Sequence, residues 1–274
     1  MAEPTARHPR LLGACSGAVL ATAALGGCSG SPAGANPVAA VQQAALTSAR
    51  AGSAKVSTDV TMAAEGQTTR FVGTGLFDLS GQIGSITLQK TDEGGQPDGP
   101  TLAEVVTPSS LYLRDDVDGA KWGEVPSTRL ADGDVISAGY TNPVLAFALL
   151  RGAGGKAGPV EYLGQDTIRG VEVAHYSGKL DLGVSADAAA GPVKADLGAA
   201  AAAFSQRIVP FDVYLDGQGR VCRVTTRYSF PTGTGRQGLV RISSTTDLYD
   251  FGTPATVDTP APSDLSTVVP APQD

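Results

Sequence analysis

From residue 54 to residue 79 the chain alternates apolar and polar side chains with a period of two. Val56, Val60 and Met62 fall on one side, and Ser57, Asp59 and Thr61 on the other. After the Glu65-Gly66 pair, Phe71, Phe77 and Leu79 share a side on a return stretch. Successive side chains of a strand point to opposite faces, so this period fits half-buried strands joined by a turn and does not fit a helix. Residues 85–91, 102–107 and 110–114 read as further strands, with a loop over 92–100, and residues 160–163 and 171–182 as two more. The clearest hairpin places residues 211–215 and 220–230 around Asp216-Gly217-Gln218-Gly219. In its second arm Cys222, Val224, Thr226, Tyr228 and Phe230 are expected on one face, with Arg223, Thr225 and Arg227 on the other. A last strand over 239–251 repeats the pattern with Val240, Ile242 and Leu248. Turns spaced about 8–12 residues apart describe a meandering antiparallel sheet.

A sheet with one dry face and one wet face needs cover on the dry side. Three stretches can supply it. Residues 36–51 start with Asn36-Pro37, a capping residue and a first-turn proline, and then carry Val38, Val41, Ala45, Leu46 and Ala49 at helical spacing. Residues 193–207 contain five consecutive alanines. Residues 142–150 open on Asn142-Pro143, run Val144-Leu145-Ala146-Phe147-Ala148-Leu149-Leu150 and meet Gly152. That helix is apolar on every side, so it belongs in a core or against an apolar space.

The ends of the chain read differently. Arg7 and Arg10 precede 17 uncharged residues, 11–27, rich in Ala, Leu and Gly, the layout of a secretory signal. The run closes in Leu25-Gly26-Gly27-Cys28, which resembles the lipobox of bacterial lipoproteins. The resemblance implies cleavage before Cys28, a diacylglycerol on the Cys28 sulfur and acylation of the new amino terminus. Two or more acyl chains hold a protein on a membrane where one is marginal. The expected plan is a signal segment over 1–27 and a lipidated Cys28 with a flexible tether over 28–37. A single domain follows over 38–253, then a tail over 254–274. That tail holds five prolines and is expected to be extended or disordered. The location implied is the extracytoplasmic face of a membrane.

Composition narrows the chemistry. The formal net charge is −7, which argues against a nucleic-acid partner, since phosphate contacts need clustered Lys and Arg. Once residues 1–27 are set aside, the only histidine is His175 and the only cysteines are Cys28 and Cys222. These are too few for a structural zinc site or a disulfide framework. His175 alternates with Val173 and Ser177 on a strand surface, and the Gly-x-Ser-x-Gly pattern of an esterase elbow is missing. Asp115-Asp116-Val117-Asp118-Gly119 lacks the spacing of a calcium loop and reads as a solvated turn. Residues 152–158 are glycine-rich but hold no Gly-Lys-Ser/Thr. Cys222 is expected as a small hydrophobe on the dry face, and Trp122, the sole tryptophan, as a core anchor. No catalytic group, metal or cofactor is expected.

The order of these features resembles the actinobacterial LppX/LprG-type lipoproteins. The resemblance is carried by the lipobox, the short helix running into a strand over 39–60, and Trp122-Gly123-Glu124-Val125-Pro126. It is also carried by Asn142-Pro143 opening an apolar helix, the hairpin over 211–224, and the closing Asp247-Leu248-Tyr249-Asp250-Phe251-Gly252-Thr253-Pro254. It implies an α+β fold: a curved antiparallel half-barrel, similar to periplasmic lipoprotein carriers, with helices on its concave face. It also implies an acylated lipid or glycolipid held between sheet and helices, carried in the cell envelope and exchanged with an envelope transporter. The expected cavity residues are Val56, Val60, Phe71, Val144, Phe147, Ala148, Val224 and Tyr228. The alternative is an envelope interaction or regulatory lipoprotein with a filled core and no lipid ligand.

Overall fold

Eleven strands form one antiparallel sheet in a computed structural model that describes residues 36–64, 66–117, 119–126, 142–203, 206–231 and 238–266. The signal segment, Cys28, most of the tether, Glu65 and the end of the tail lie outside the described residues.

The first helix, α1 (Pro37–Ala49), starts where Asn36 Oδ1 accepts the Ala39 N–H at 3.1 Å. Six strands then follow one another outward: β1 (Ser53–Ala64), β2 (Gln67–Asp78), β3 (Ile83–Thr91), β4 (Pro97–Val106), β5 (Ser110–Asp115) and β6 (Gly123–Pro126). A second helix, α2 (Pro143–Leu150), leads to the opposite edge, its N-terminus capped by Asn142 Oδ1 accepting from Val144 N–H at 3.0 Å. From there β7 (Val160–Ile168) and β8 (Val171–Asp181) run into α3 (Leu182–Ala188) and α4 (Pro192–Ala203). The chain returns inward through β9 (Ile208–Leu215), β10 (Val221–Pro231) and β11 (Leu239–Tyr249). The spatial order is β6-β5-β4-β3-β2-β1-β11-β10-β9-β8-β7. Two meanders are therefore joined where β1 pairs with β11, in a register that sets Val56 opposite Leu248 and Val60 opposite Ser244. The sheet is open and curved, and the α+β half-barrel expected from the sequence is the fold observed.

Alternation decides which side is dry. Val56, Val60, Phe77, Ile86, Leu111, Tyr176, Leu180, Phe211, Val213, Val224, Ile242 and Leu248 share one apolar cluster with residues of α1, α2, α3 and α4. This is the inner face. Phe77 is paired with Gly84, and a Cβ at Gly84 would collide with the Phe77 ring, so the missing side chain is what lets the ring lie flat.

Several expectations need correction. Strand β4 begins at Pro97, so the expected loop over 92–100 is shorter, and β7 extends five residues past 163 to Ile168. The strand expected to run to Leu182 stops at Asp181. There the carboxylate accepts from Gly183 N–H at 2.8 Å and Val184 N–H at 3.3 Å and starts α3. Trp122 is not in the core. It lies beside β6 with the Arg114 guanidinium 4.6 Å from its ring. The proline-rich tail is pinned there as far as Ser266: Trp122 N–H donates to Asp264 O at 2.9 Å, and Ser266 N–H to Trp122 O at 2.7 Å. The tail thus lies as a short parallel bridge beside an edge that would otherwise expose unpaired backbone groups.

Candidate functional site

Seven of the eight expected cavity residues meet on the inner face. Val56 (0% exposed), Val60 (3%), Phe147 (2%) and Val224 (3%) belong to the main cluster, and Phe71, Ala148 and Tyr228 pack against it half-buried. Val144 is buried but lies outside that cluster. Seven of the eight residues of α2 are buried, and Ala148 is the one that is not. A helix with no polar side has no water-facing option, so its burial follows from composition.

Alternation also places polar groups on this dry face. Thr58 sits between Val56 and Val60, Thr226 between Val224 and Tyr228, and Ser244 and Thr246 between Ile242 and Leu248; all four are buried. The register sets Thr58 opposite Thr246, and Thr226 opposite Ser244, so the four hydroxyls form a seam across β1, β11 and β10. Burial also pushes the Tyr228 hydroxyl up to about 12, with a hydrogen bond involving Thr226 working against the shift. On β4, Glu104 is buried on the same face, opposite Ile86 and Leu113. The sequence reading put Thr226 on the inner face but did not assign the seam or Glu104. The signal was present as polar residues in apolar register.

The outer face carries ion pairs instead. Asp212 accepts from Arg227 Nη1 at 3.0 Å, and its Oδ1 lies 3.1 Å from His175 Nε2. Burial raises the Asp212 carboxyl, and the hydrogen bonds from Arg227 and His175 outweigh it, holding the group below its usual value. His175 stacks on Tyr214 at 4.2 Å between ring centroids, on the strand surface where it was expected. Arg223 donates to both carboxylate oxygens of Asp247, at 2.5 and 2.8 Å. No group of His, Cys, Asp and Glu side chains among the described residues could hold a metal.

Cys222 corrects the hairpin register. It is buried, as expected, but on the outer face, where Ile168 and Val173 form a separate small cluster with it. A β-bulge between Val221 and Arg223 is the cause: Val221 pairs with Leu215 and Arg223 with Tyr214, so one extra residue is absorbed. Val221 takes the inner position, Arg223 and Arg227 stay outside as expected, and Val224 and Tyr228 stay inside. Burial pushes the Cys222 thiol up to about 11.

An open, curved antiparallel sheet with an apolar helical cover on one face defines the class of fold. No family model and no curated protein matches the chain. Among solved structures it is similar to LprF from Mycobacterium bovis, at 17% identity over 82% of this chain and 99% of that one, with a TM-score of 0.40. It is also similar to the lipoprotein LppX from Mycobacterium tuberculosis, at 13% identity over 81% and 97%, with a TM-score of 0.43. A LolA superfamily protein from Nitrosomonas europaea is similar at 10% identity over 78% and 94%, with a TM-score of 0.28. LppX is one of the proteins after which the family resemblance in the sequence is named. No helix among the described residues is long and apolar enough to cross a membrane.

Proposed function

We propose that this chain is a lipoprotein anchored through Cys28 on the extracytoplasmic face of a membrane. In this reading it binds an acylated lipid or glycolipid between the inner face and the helices, carries it within the cell envelope, exchanges it with an envelope transporter, and performs no covalent chemistry. The observation that carries the reading is α2, apolar on every side and set against the inner face of an open sheet. Alkyl chains are the ligand chemistry such a surface rewards. At about 0.8 kcal/mol per buried methylene, one sixteen-carbon chain contributes on the order of 10 kcal/mol before entropy costs. The hydroxyl seam of Thr58, Thr226, Ser244 and Thr246 offers partners for ester or sugar oxygens at the centre of that surface.

A second reading, an envelope interaction lipoprotein with a filled core, draws on the packing of the same face, where Phe77, Phe147 and Phe211 are at most 2% exposed. Organic extraction and mass spectrometry of the untagged chain separate the two. Stoichiometric acylated lipid supports the carrier, and a lipid-free, fully folded protein supports the interaction module. The anchor has its own test. Cys28→Ala is expected to leave the precursor uncleaved, with residues 1–27 retained and no diacylglycerol mass, which intact mass spectrometry of both forms reads. A parent chain that carries no diacylglycerol mass contradicts lipidation.

A further inference from the structure

On the outer face, the β7–β8 turn, the β9–β10 turn and the end of β11 surround a pocket of about 320 Å³. That size lies at the lower end of small-molecule sites. Its floor is apolar, with Ile168 and Cys222 from the small outer cluster. Two aromatic rings flank it, each carrying a guanidinium: Arg169 lies 4.1 Å from the Tyr249 centroid and Arg220 lies 4.2 Å from that of Phe251. Such stacking holds the guanidinium plane in place before any ligand arrives.

The charges lining the pocket are not equally satisfied. Arg220 is bound to Asp216 through Nε at 2.7 Å and through Nη2 at 2.7 Å. Asp250 is paired with Lys55 at 2.8 Å. Arg169 makes a single polar contact among the described residues, from Nε to Asp247 Oδ2 at 3.3 Å, and Asp247 already accepts two shorter bonds from Arg223. Its two terminal amino groups are therefore left without an acceptor among the described residues, on a side chain 44% exposed. Arg169 also has φ +50°, and Gly170 beside it φ +81°. A two-residue hairpin turn of this kind favours Asn or Asp at the first place, so an arginine there is held at a conformational cost.

We propose that this pocket binds a small monocarboxylate with a short apolar or aromatic stem. The Arg169 fork takes the carboxylate, since two parallel N–H donors match its two oxygens. The stem lies over Ile168 and Cys222. Asp216 and Asp250 line the same pocket, so a dianion such as phosphate meets more repulsion than a single carboxylate does. The site lies on the opposite face from the helices and stands apart from the lipid reading.

Equilibrium dialysis of the full chain in detergent micelles tests the proposal, with 3-phenylpropionate and its neutral amide as probes. The acid is expected to bind saturably, and the amide at least tenfold more weakly. Arg169→Asn, which tolerates the left-handed backbone but removes the fork, is expected to lose at least tenfold in affinity for the acid. Val171→Trp, at a position 46% exposed on the pocket lining, is expected to block binding while leaving Arg169 in place. Equal binding of acid and amide overturns the proposal. So does undiminished binding of the acid by either folded variant, or no saturable binding by the parent.

Discussion

On the inner face of β9, β10 and β11 stand Phe211, Val213, Val224, Ile242 and Leu248, none more than 3% exposed. On the outer face the same strands carry Asp212, Arg223, Arg227 and Asp247, tied by cross-strand hydrogen bonds, and Tyr214, stacked on His175. One face is held by area removed from water, the other by geometry between charges that water screens. The comparison teaches where substitutions should hurt. It also shows why Cys222 is informative: one bulge moves a buried residue from the first environment to the second, gives Val221 the inner position and leaves the alternation from Arg223 onward intact.

The largest effect is expected inside. Phe77→Ala should cost about 3–5 kcal/mol in chemical denaturation, because the ring is fully buried and Gly84 beneath it cannot fill the space. A loss below about 1 kcal/mol would mean that the inner face is not a packed wall.

Alkaline pH separates the faces next. Cys222 outside and Tyr228 inside both hold their protons more tightly when folded, up to about 11 and about 12, against ordinary values of 9.0 and 10.0. Above pH 9 the unfolded chain releases protons that the folded chain keeps, so the stability these two groups contribute should be constant below pH 9 and fall as pH rises through 11 and 12. Denaturation midpoints across that range should show the fall, and Cys222→Ala should remove its first part. A curve that Cys222→Ala leaves unchanged would contradict the burial of the thiol. The same burial predicts slow labelling of Cys222 by thiol reagents in the native state and fast labelling on denaturation.

Outer-face pairs should matter less and unequally. Asp247 is 6% exposed and holds Arg223 by two bonds, so Asp247→Ala should cost about 1.5–3 kcal/mol. Arg227→Ala, at an arginine whose side chain is 55% exposed, should cost about 0.2–1 kcal/mol. Comparable losses at the two sites would remove the distinction. The smallest effect is expected at the tail. A chain ending at Thr253 loses two backbone hydrogen bonds to Trp122, about 1 kcal/mol, and hydrogen exchange at the Trp122 amide should quicken.

How much of this was legible varies with the physics involved. Strands with unbroken alternation, such as β1 and β11, were legible because burial of one face enforces a period of two. The capped helices α1 and α2 were legible because Asn-Pro followed by apolar residues leaves few other choices. Helix α3 was missed because Val171 to Leu182 keeps a strand-like pattern until the Asp181 cap, a single side chain, overrides it. The bulge at Cys222 was missed because an inserted residue leaves no compositional trace. The tail is expected to be extended or disordered, and composition does not reveal that two backbone bonds at Trp122 hold it as far as Ser266. The candidate site fared similarly. Its apolar members followed from periodicity, whereas the hydroxyl seam emerges only once the register of β1, β11 and β10 aligns four strand positions.

The central claim, that acyl chains lie between α2 and the inner face, is tested most directly at Ala148. It is the only half-buried residue of α2. Lipid recovered per mole of protein and the unfolding midpoint should be measured on the same preparations of the parent and of Ala148→Trp. The carrier account predicts that the indole takes up space otherwise held by lipid, so recovered lipid falls sharply while the midpoint changes little. A parent that never yields lipid, together with a variant destabilised by roughly 1–3 kcal/mol from overpacking, would contradict it.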